Sequence, residues 1–556
     1  MRPSRRLALF CALIAASAPA RARAQVDPYE DAGAPPPVKV DPEDDLPLQE
    51  IPAEIPSSPV NPRPADPPAP APAPPARDRP RAPALDAAPS VGASAGAKVP
   101  IRYTLEGIEL RGNTRTAPRV VLRYVKFRAG DVIDVDDPEI ELTRYRLLGA
   151  GFFASVQLSL RKGSRRGAAI LVIEVEERNT FVLQNLWLGI AADEDTAGNA
   201  KPLSPFVGLQ FAETNLAGTG VTLSAGIGLA EDQLALRTSF FDPAFAGTGW
   251  SVFASLLFND GRDFFGNRDV SFESPLLEQN EVTDYAVVAY KRFGGSLGTG
   301  HDLSVSSRFQ LDYHLEQIDA VVPTVASHRR GDSIEPIRFD VLSGKSALSW
   351  LRASFTYDTR DAPFLTRRGA LGSVSTTIGL VPLGSDYGYQ KIELRGQRWW
   401  QLPWKHVISI EAYAGGIAGD APFFEKFFVG DFTDLLPDRV LELAPDRRQP
   451  PNFFRTDIIE VRYGDYAAKL EAEYRLPIYT GKGSIYGVDL FGAAGVYAVA
   501  GRREFSDPPT GYEGAARIPI DLTFNLGLRI DTRVGGLSLG FANLLGLVPV
   551  QQGVRK

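Results

Sequence analysis

The sequence predicts a mostly β protein: an antiparallel transmembrane β-barrel preceded by one small α/β domain and a disordered proline-rich segment. Three observations carry that expectation. The N-terminus has the pattern of an export signal, and no apolar run approaches the ~20 residues that a membrane-spanning helix needs. From residue 181 onward, apolar and polar residues alternate in runs long enough to cross a bilayer as tilted strands.

Residues 1–24 read as the signal. Arg2, Arg5 and Arg6 precede a short apolar stretch from Leu7 to Ala20, and Ala22-Arg23-Ala24 offers a cleavage site before Gln25. Cys11 is the sole cysteine, so a chain cleaved there has no thiol for a disulfide, a metal or a nucleophile. Four histidines leave little material for a metal site, and no cofactor is expected. A balance of 60 Lys+Arg against 67 Asp+Glu, net −7, speaks against nucleic acid as a partner. Residues 25–100 form a linker. Between 26 and 100 lie 21 of the 44 prolines, densest at Pro67-Pro68-Ala69-Pro70. Such a segment cannot offset its ordering entropy by burial and favours extended polyproline II, which reads as a spacer.

Residues 101–178 change character. Ile101 to Leu110 alternates and ends at Gly112-Asn113, a turn signal. Thr116 and Pro118 open a short helix, and Asp137-Pro138 opens a second that presents Ile140, Leu147 and Leu148 before Gly149 and Gly151 end it. Strands around Val156 to Leu160 and Ile170 to Val175 complete a three-stranded sheet with helices on one face. An exposed sheet edge can accept an extended client through main-chain hydrogen bonds.

The remainder, 179–556, is the barrel. In 221–229, Val221, Leu223, Ala225, Ile227 and Leu229 share one face, and Thr222, Ser224, Gly226 and Gly228 the other. In 302–314, Leu303, Val305 and Phe309 oppose Asp302, Ser304 and Arg308. Lys469, Glu471, Glu473 and Arg475 carry charge through mid-strand, so the second face belongs to water rather than to a dry core. The pattern yields fifteen strands, from 181–192 to 536–545, with 282–293 and 301–315 separated by the glycine-rich 294–300. Tight turns alternate with the long connections 260–281, 316–342, 418–465 and 501–517, which would face outward. Bacterial single-chain barrels have even strand numbers. A sixteenth strand therefore has to come from Leu547 to Lys556, weakened by Pro549 and Gly553, or the barrel stays incomplete.

Several segments go beyond generic pattern. LEGIELRGNTRT (105–116) and YRLLGAGFFASVQLSL (145–160) resemble a polypeptide-transport-associated (POTRA) domain. Downstream, NLAGTGVTLSAGIG (215–228), SFFDPAFAGTGWSVFASLLF (239–258), YDTRDAPFLTRRGALGSVS (357–375), FFEKFFVGD (423–431) and KLEAEYRLPIY (469–479) resemble the BamA/TamA (bacterial surface antigen) family of outer-membrane proteins. The resemblance implies a 16-stranded barrel whose long outer loop, here 418–465, folds back into the lumen. Two turn motifs belong to it, Asp242-Pro243 and Asp358-Thr359-Arg360-Asp361, and their local role is turn chemistry. A loop-tip arginine that pairs with a wall carboxylate is also implied. Arg439 matches the arginine, Val440 stands where a glycine is usual, and Ala493 stands where the wall aspartate is usual. Glu471 or Glu473 is the expected substitute partner.

By resemblance, the protein is a non-enzymatic outer-membrane protein with its N-terminal part in the periplasm. It would assist insertion, assembly or translocation of other polypeptides. Its partners would be membrane lipid, extended polypeptide clients and periplasmic accessory proteins. A dedicated secretion pore for one partner and a passive porin-like barrel are the alternatives.

Overall fold

A computed structural model describes residues 102–541, apart from 195–199, 267–284, 324–325, 331–332, 363, 482 and 508. The export signal, the spacer and the sixteenth strand expected at 547–556 lie outside the described residues.

The small domain runs β1 (Arg102–Arg111), α1 (Pro118–Leu122), β2 (Val132–Asp134), α2 (Pro138–Gly149), β3 (Phe153–Lys162) and β4 (Ala168–Glu177). Its sheet has four strands, not three, in the order β2-β1-β4-β3. The extra strand spans three residues, too few to show a period, and pairs with β1 only at Arg102–Thr104. Leu105, Val121, Ile133, Leu147, Phe153, Leu171 and Ile173 form a dry core between sheet and helices. Asp137 caps α2 by accepting from the Glu139 amide at 2.8 Å, and its carboxylate also suits the positive end of the helix. Thr116, expected as the cap of α1, is not: Ala117 occupies the cap position, and the Thr116 hydroxyl accepts from Asn215 Nδ2 instead.

Fifteen strands close the barrel. They are β5 (Phe181–Glu194), β6 (Ala200–Leu216), β7 (Val221–Ala230), β8 (Gln233–Asp242), β9 (Trp250–Gly266), β10 (Tyr285–Ser304) and β11 (Ser307–Val321). After an outer hairpin of β12 (Ser327–Arg330) and β13 (Ser333–Pro336) come β14 (Gly344–Asp358), β15 (Gly369–Gly379), β16 (Tyr389–Gln401) and β17 (Val407–Gly419). A long loop containing β18 (Phe427–Phe428) and β19 (Tyr463–Gly464) leads to β20 (Tyr466–Thr480), β21 (Ile485–Ala500), β22 (Ile520–Thr532) and β23 (Gly535–Gly540). Within the barrel, sequential strands pair antiparallel, and the expected faces appear: Leu223, Ile227 and Leu229 point outward and exposed while Ser224 is buried inside.

One stretch differs from its sequence reading. Residues 294–300, read as a connection, are the middle of β10, and the hairpin instead turns between Ser304 and Ser307. The glycines are there for space. A Cβ on Gly294 would lie 2.2 Å from Glu316 Cβ, and one on Gly298 would lie 1.9 Å from Asp312 Oδ1. Low side-chain bulk, normally a turn signal, here admits large inward side chains from the neighbouring strand.

Candidate functional site: the plugged lumen and the seam

Residues 420–465 fold into the lumen. Phe423, Phe424, Phe427, Phe428, Val429 and Phe432 are buried against Phe265, Tyr290, Tyr389 and Tyr497 of the wall, with Phe423 edge-on to Phe265 at 5.3 Å. Aromatic rings provide this loop with a core of its own inside a polar cylinder. Polar contacts bind its flanks. Lys426 pairs with Asp340 at 2.8 Å and Asp465 at 3.0 Å, Arg462 with Asp263 at 2.8 Å, and the Phe453 and Phe454 amides donate to Asp521 at 3.0 Å each. Cavities of about 850 and 840 Å³ lie on the outer and inner sides of the loop.

The tip, from Leu436 to Leu443, reaches the wall formed by β5 to β9. Val440 packs with Ala191 and Phe206, and Leu441 and Leu443 with Ala235. Small residues of the wall make the seat: a Cβ on Gly208 or Gly228 would fall 2.4 or 2.8 Å from Val440 Cγ1. Val440 and Leu443 exchange backbone hydrogen bonds at 3.0 and 2.9 Å across a two-residue turn. Both turn residues, Leu441 (φ 48°) and Glu442 (φ 73°), are left-handed. Glycine or asparagine usually fills such positions, and other residues cost about 1–2 kcal/mol each. Asn259 Nδ2 donates to Leu441 O at 3.2 Å. The Glu442 carboxylate lies 2.9 Å from Arg237 on β8 and 2.9 Å from Arg292 on β10. Arg292 also meets Glu316 on β11 through two contacts of 3.1 Å.

Nearer the periplasmic turns, Arg475, Glu473, Asp489 and Arg529 interlock. Arg529 donates to Glu473 at 2.8 Å, and Arg475 lies 3.3 Å from Glu473 and 3.7 Å from Asp489. Arg475 also donates to Thr366 O in the β14–β15 turn. That turn holds one family motif. Asp358 accepts from the Arg360 amide at 3.0 Å and from its guanidinium, and Asp361 accepts from the Arg367 and Arg368 amides at 2.8 and 3.1 Å. In the other motif, Asp242 accepts from the Ala244 amide at 3.0 Å, and Pro243 follows it into the reversal before β9. The small domain docks at the same end of the barrel: Arg123 Nε meets Asp302 near the β10–β11 hairpin at 3.0 Å, and the Ala117 amide donates to Gly218 O in the β6–β7 turn at 2.9 Å.

Ser296 Oγ, His314 and Glu316 are linked at 2.8 and 3.1 Å, which invites comparison with a hydrolytic triad. Among the described residues the barrel supplies nothing to complete one. Ser296 sits mid-strand, where backbone N–H groups serve the sheet ladder, and Glu316 is engaged by Arg292. Among the described residues no group of His, Cys, Asp and Glu could hold a metal ion.

The fifteenth strand is odd-numbered, so β23 runs parallel to β5. Among the described residues they share a single bridge, Gly535 opposite Leu183, with the Leu183 amide donating to Val534 O. Every other strand junction of the barrel is a multi-residue ladder. Among the described residues the seam therefore has the fewest pairings of any line along the wall.

An Omp85 superfamily domain model matches residues 215–435, and a POTRA model, described as surface antigen variable number repeat, matches residues 103–178. The barrel carries an Omp85 superfamily domain. As an Omp85 barrel it resides in the outer membrane, with its N-terminal POTRA domain in the periplasm. Similar solved structures include BamA from Haemophilus ducreyi lacking POTRA domains 1–3 (16% identity, 79% of this chain and 80% of that one, TM-score 0.41). Others are CdiB from Escherichia coli (12%, 79% and 73%, 0.43) and CdiB from Acinetobacter baumannii (14%, 77% and 67%, 0.39). A search of curated proteins finds no match.

The expected lock of this Omp85 loop takes a different form. Arg439 does not reach Glu471 or Glu473. Its ion pair is with Asp431 of the same loop, Nε to Oδ1 2.9 Å, and its guanidinium lies 5.2 Å from the Phe428 ring centroid. The two wall carboxylates are occupied within the wall, Glu471 by Lys469 of β20 at 2.8 Å, and Glu473 by Arg475 of β20 and Arg529 of β22. Inward neighbours two residues apart neutralise one another, and the loop side chain that meets Glu471 is an acid, Asp434, rather than Arg439. Arg237, Arg292 and Glu442 were absent from the expected set. Strand alternation would have placed both arginines inside, but nothing periodic marks a loop tip.

Proposed function

We propose that this Omp85 barrel assists insertion or translocation of other polypeptides at the outer membrane, without enzymatic chemistry. The seam carries this reading. From Asn185 onward, β5 has no described partner on its free side, and a strand edge is a template for an extended chain. Main-chain pairing there would capture a client strand without reading its sequence. The POTRA domain, with β3 as one outer edge of its sheet, would meet clients in the periplasm. A passive pore fits poorly, because the aromatic loop fills the lumen.

The experiment is in vivo photocrosslinking from Leu186 on β5, with a matching probe at Leu297 on β10, away from the seam. Adducts to several outer-membrane proteins from the seam alone support assembly. Adducts to one exported protein favour dedicated secretion. Equal or no capture from both positions overturns the proposal.

A further inference from the structure

We infer that the lumen loop is latched to the barrel wall by its own carboxylate, Glu442, seated between Arg237 and Arg292. The inference stands on the loop and wall alone and does not depend on which clients the protein serves.

Four observations converge on this contact. First, Glu442 occupies a left-handed turn position that its side chain does not favour, and its neighbour Leu441 does the same. Such a conformation persists where the surroundings over-determine it. Second, the two carboxylate oxygens divide between two arginines on different strands, Oε1 toward Arg237 and Oε2 toward Arg292, each at 2.9 Å. Third, Arg292 is held from the opposite side by Glu316, while the Phe424 ring of the same loop stacks on it at 4.0 Å. The loop thus grips this guanidinium with both its base and its tip. Fourth, Arg237, Arg292, Glu316 and Glu442 form a neutral set only while the tip is seated. Withdrawal of the tip would leave an excess positive charge in the wall beside Arg292, which is itself buried, and an uncompensated charge there is costly.

Arg439 has a separate role. Both of its close contacts, Asp431 and Phe428, belong to the loop, so it braces the loop internally and moves with it. The wall contact has the opposite polarity, a loop acid between wall bases. Shape supports charge here: Gly208 and Gly228 admit Val440, and Asn259 holds Leu441 O.

The test is single-channel recording of the full-length protein in planar lipid bilayers, with folding verified by heat-dependent gel migration. Glu442→Gln, nearly isosteric, should raise the frequency of large openings roughly 10-fold or more. Arg237→Gln should do the same from the wall side, which keeps the test available should either variant fold poorly. The double variant Glu442→Arg with Arg237→Glu, which keeps the set neutral, should restore closure relative to Glu442→Arg alone, a rescue that mere packing would not produce. Arg439→Gln should open the channel less than Glu442→Gln. Folded Glu442→Gln and Arg237→Gln barrels as quiet as the parent, or Arg439→Gln opening as often as Glu442→Gln, would overturn the latch.

Discussion

At the scale of single residues, Glu177 is the most informative carboxylate outside the membrane. It ends β4 just before the barrel begins and gathers the segment that docks on the periplasmic turns. Its oxygens accept from Thr114 Oγ1 at 2.8 Å, the Arg115 amide at 3.0 Å and the Thr116 amide at 2.6 Å. Burial alone would raise this carboxyl, but the hydrogen bonds from Thr116, Thr114 and Arg115 outweigh burial and hold it at about 2, below the ordinary 4.5. A depressed folded value means stability that is full above 4.5 and lost as pH falls toward about 2. Hydrogen bonds to a charged group contribute about 1.5–3 kcal/mol. Glu177→Gln should therefore speed amide exchange at Arg115 and Thr116 roughly 10-fold or more at pH 7. The difference from the parent should shrink as the parent is acidified. Equal exchange in both proteins at pH 7 would remove Glu177 from this role.

At the scale of elements, the strands were legible from period and the contacts of the lumen loop were not, for physical reasons. A wall between lipid and water imposes a period of two on every crossing, and that period survives in the order of apolar and polar residues. It placed Ser224, Gly226 and Gly228 inside, but it carried no hint of why two of them are glycines. The lumen loop obeys no period, so its aromatic core and its acidic tip emerge only once Phe265, Tyr290 and Arg292 are brought beside it. The glycine seat explains how the chain tolerates Val440: side-chain volume has moved from wall to loop. Filling the seat should expel the tip. With Cys11 in the expected signal, Val440→Cys provides a single reporter thiol in the mature chain. Adding Gly228→Leu should accelerate its maleimide labelling about 10-fold or more, since overpacking a filled site typically costs about 1–3 kcal/mol. Unchanged labelling would mean that the tip does not rest where Gly208 and Gly228 receive it.

At the scale of the whole molecule, three things meet at the periplasmic end of the barrel: the POTRA domain, the β14–β15 turn and the seam. Gly149 at the end of α2 faces Arg360 O so closely that a Cβ would lie 2.9 Å from it, and Gly536 on β23 faces the Phe364 ring at 2.4 Å in the same sense. Arg178, which joins the POTRA domain to the barrel, lies 3.4 Å from Asp531, and Asn179 donates to Arg533 O at 3.1 Å. Motion of the POTRA domain is thereby positioned to reach β23 by two routes, and among the described residues β23 has one bridge to β5 with which to resist. A tether at this junction separates motion from folding. Asn179→Cys with Arg533→Cys, joined by a short bis-maleimide, should leave a folded, heat-modifiable barrel while abolishing client capture from Leu186. The untethered double variant should retain capture. The tether adds no charge and touches neither the loop nor its latch, so its effect would be on the opening of the wall. Full capture with the seam joined would place client entry elsewhere on the molecule and leave the unpaired edge of β5 without a part in the process.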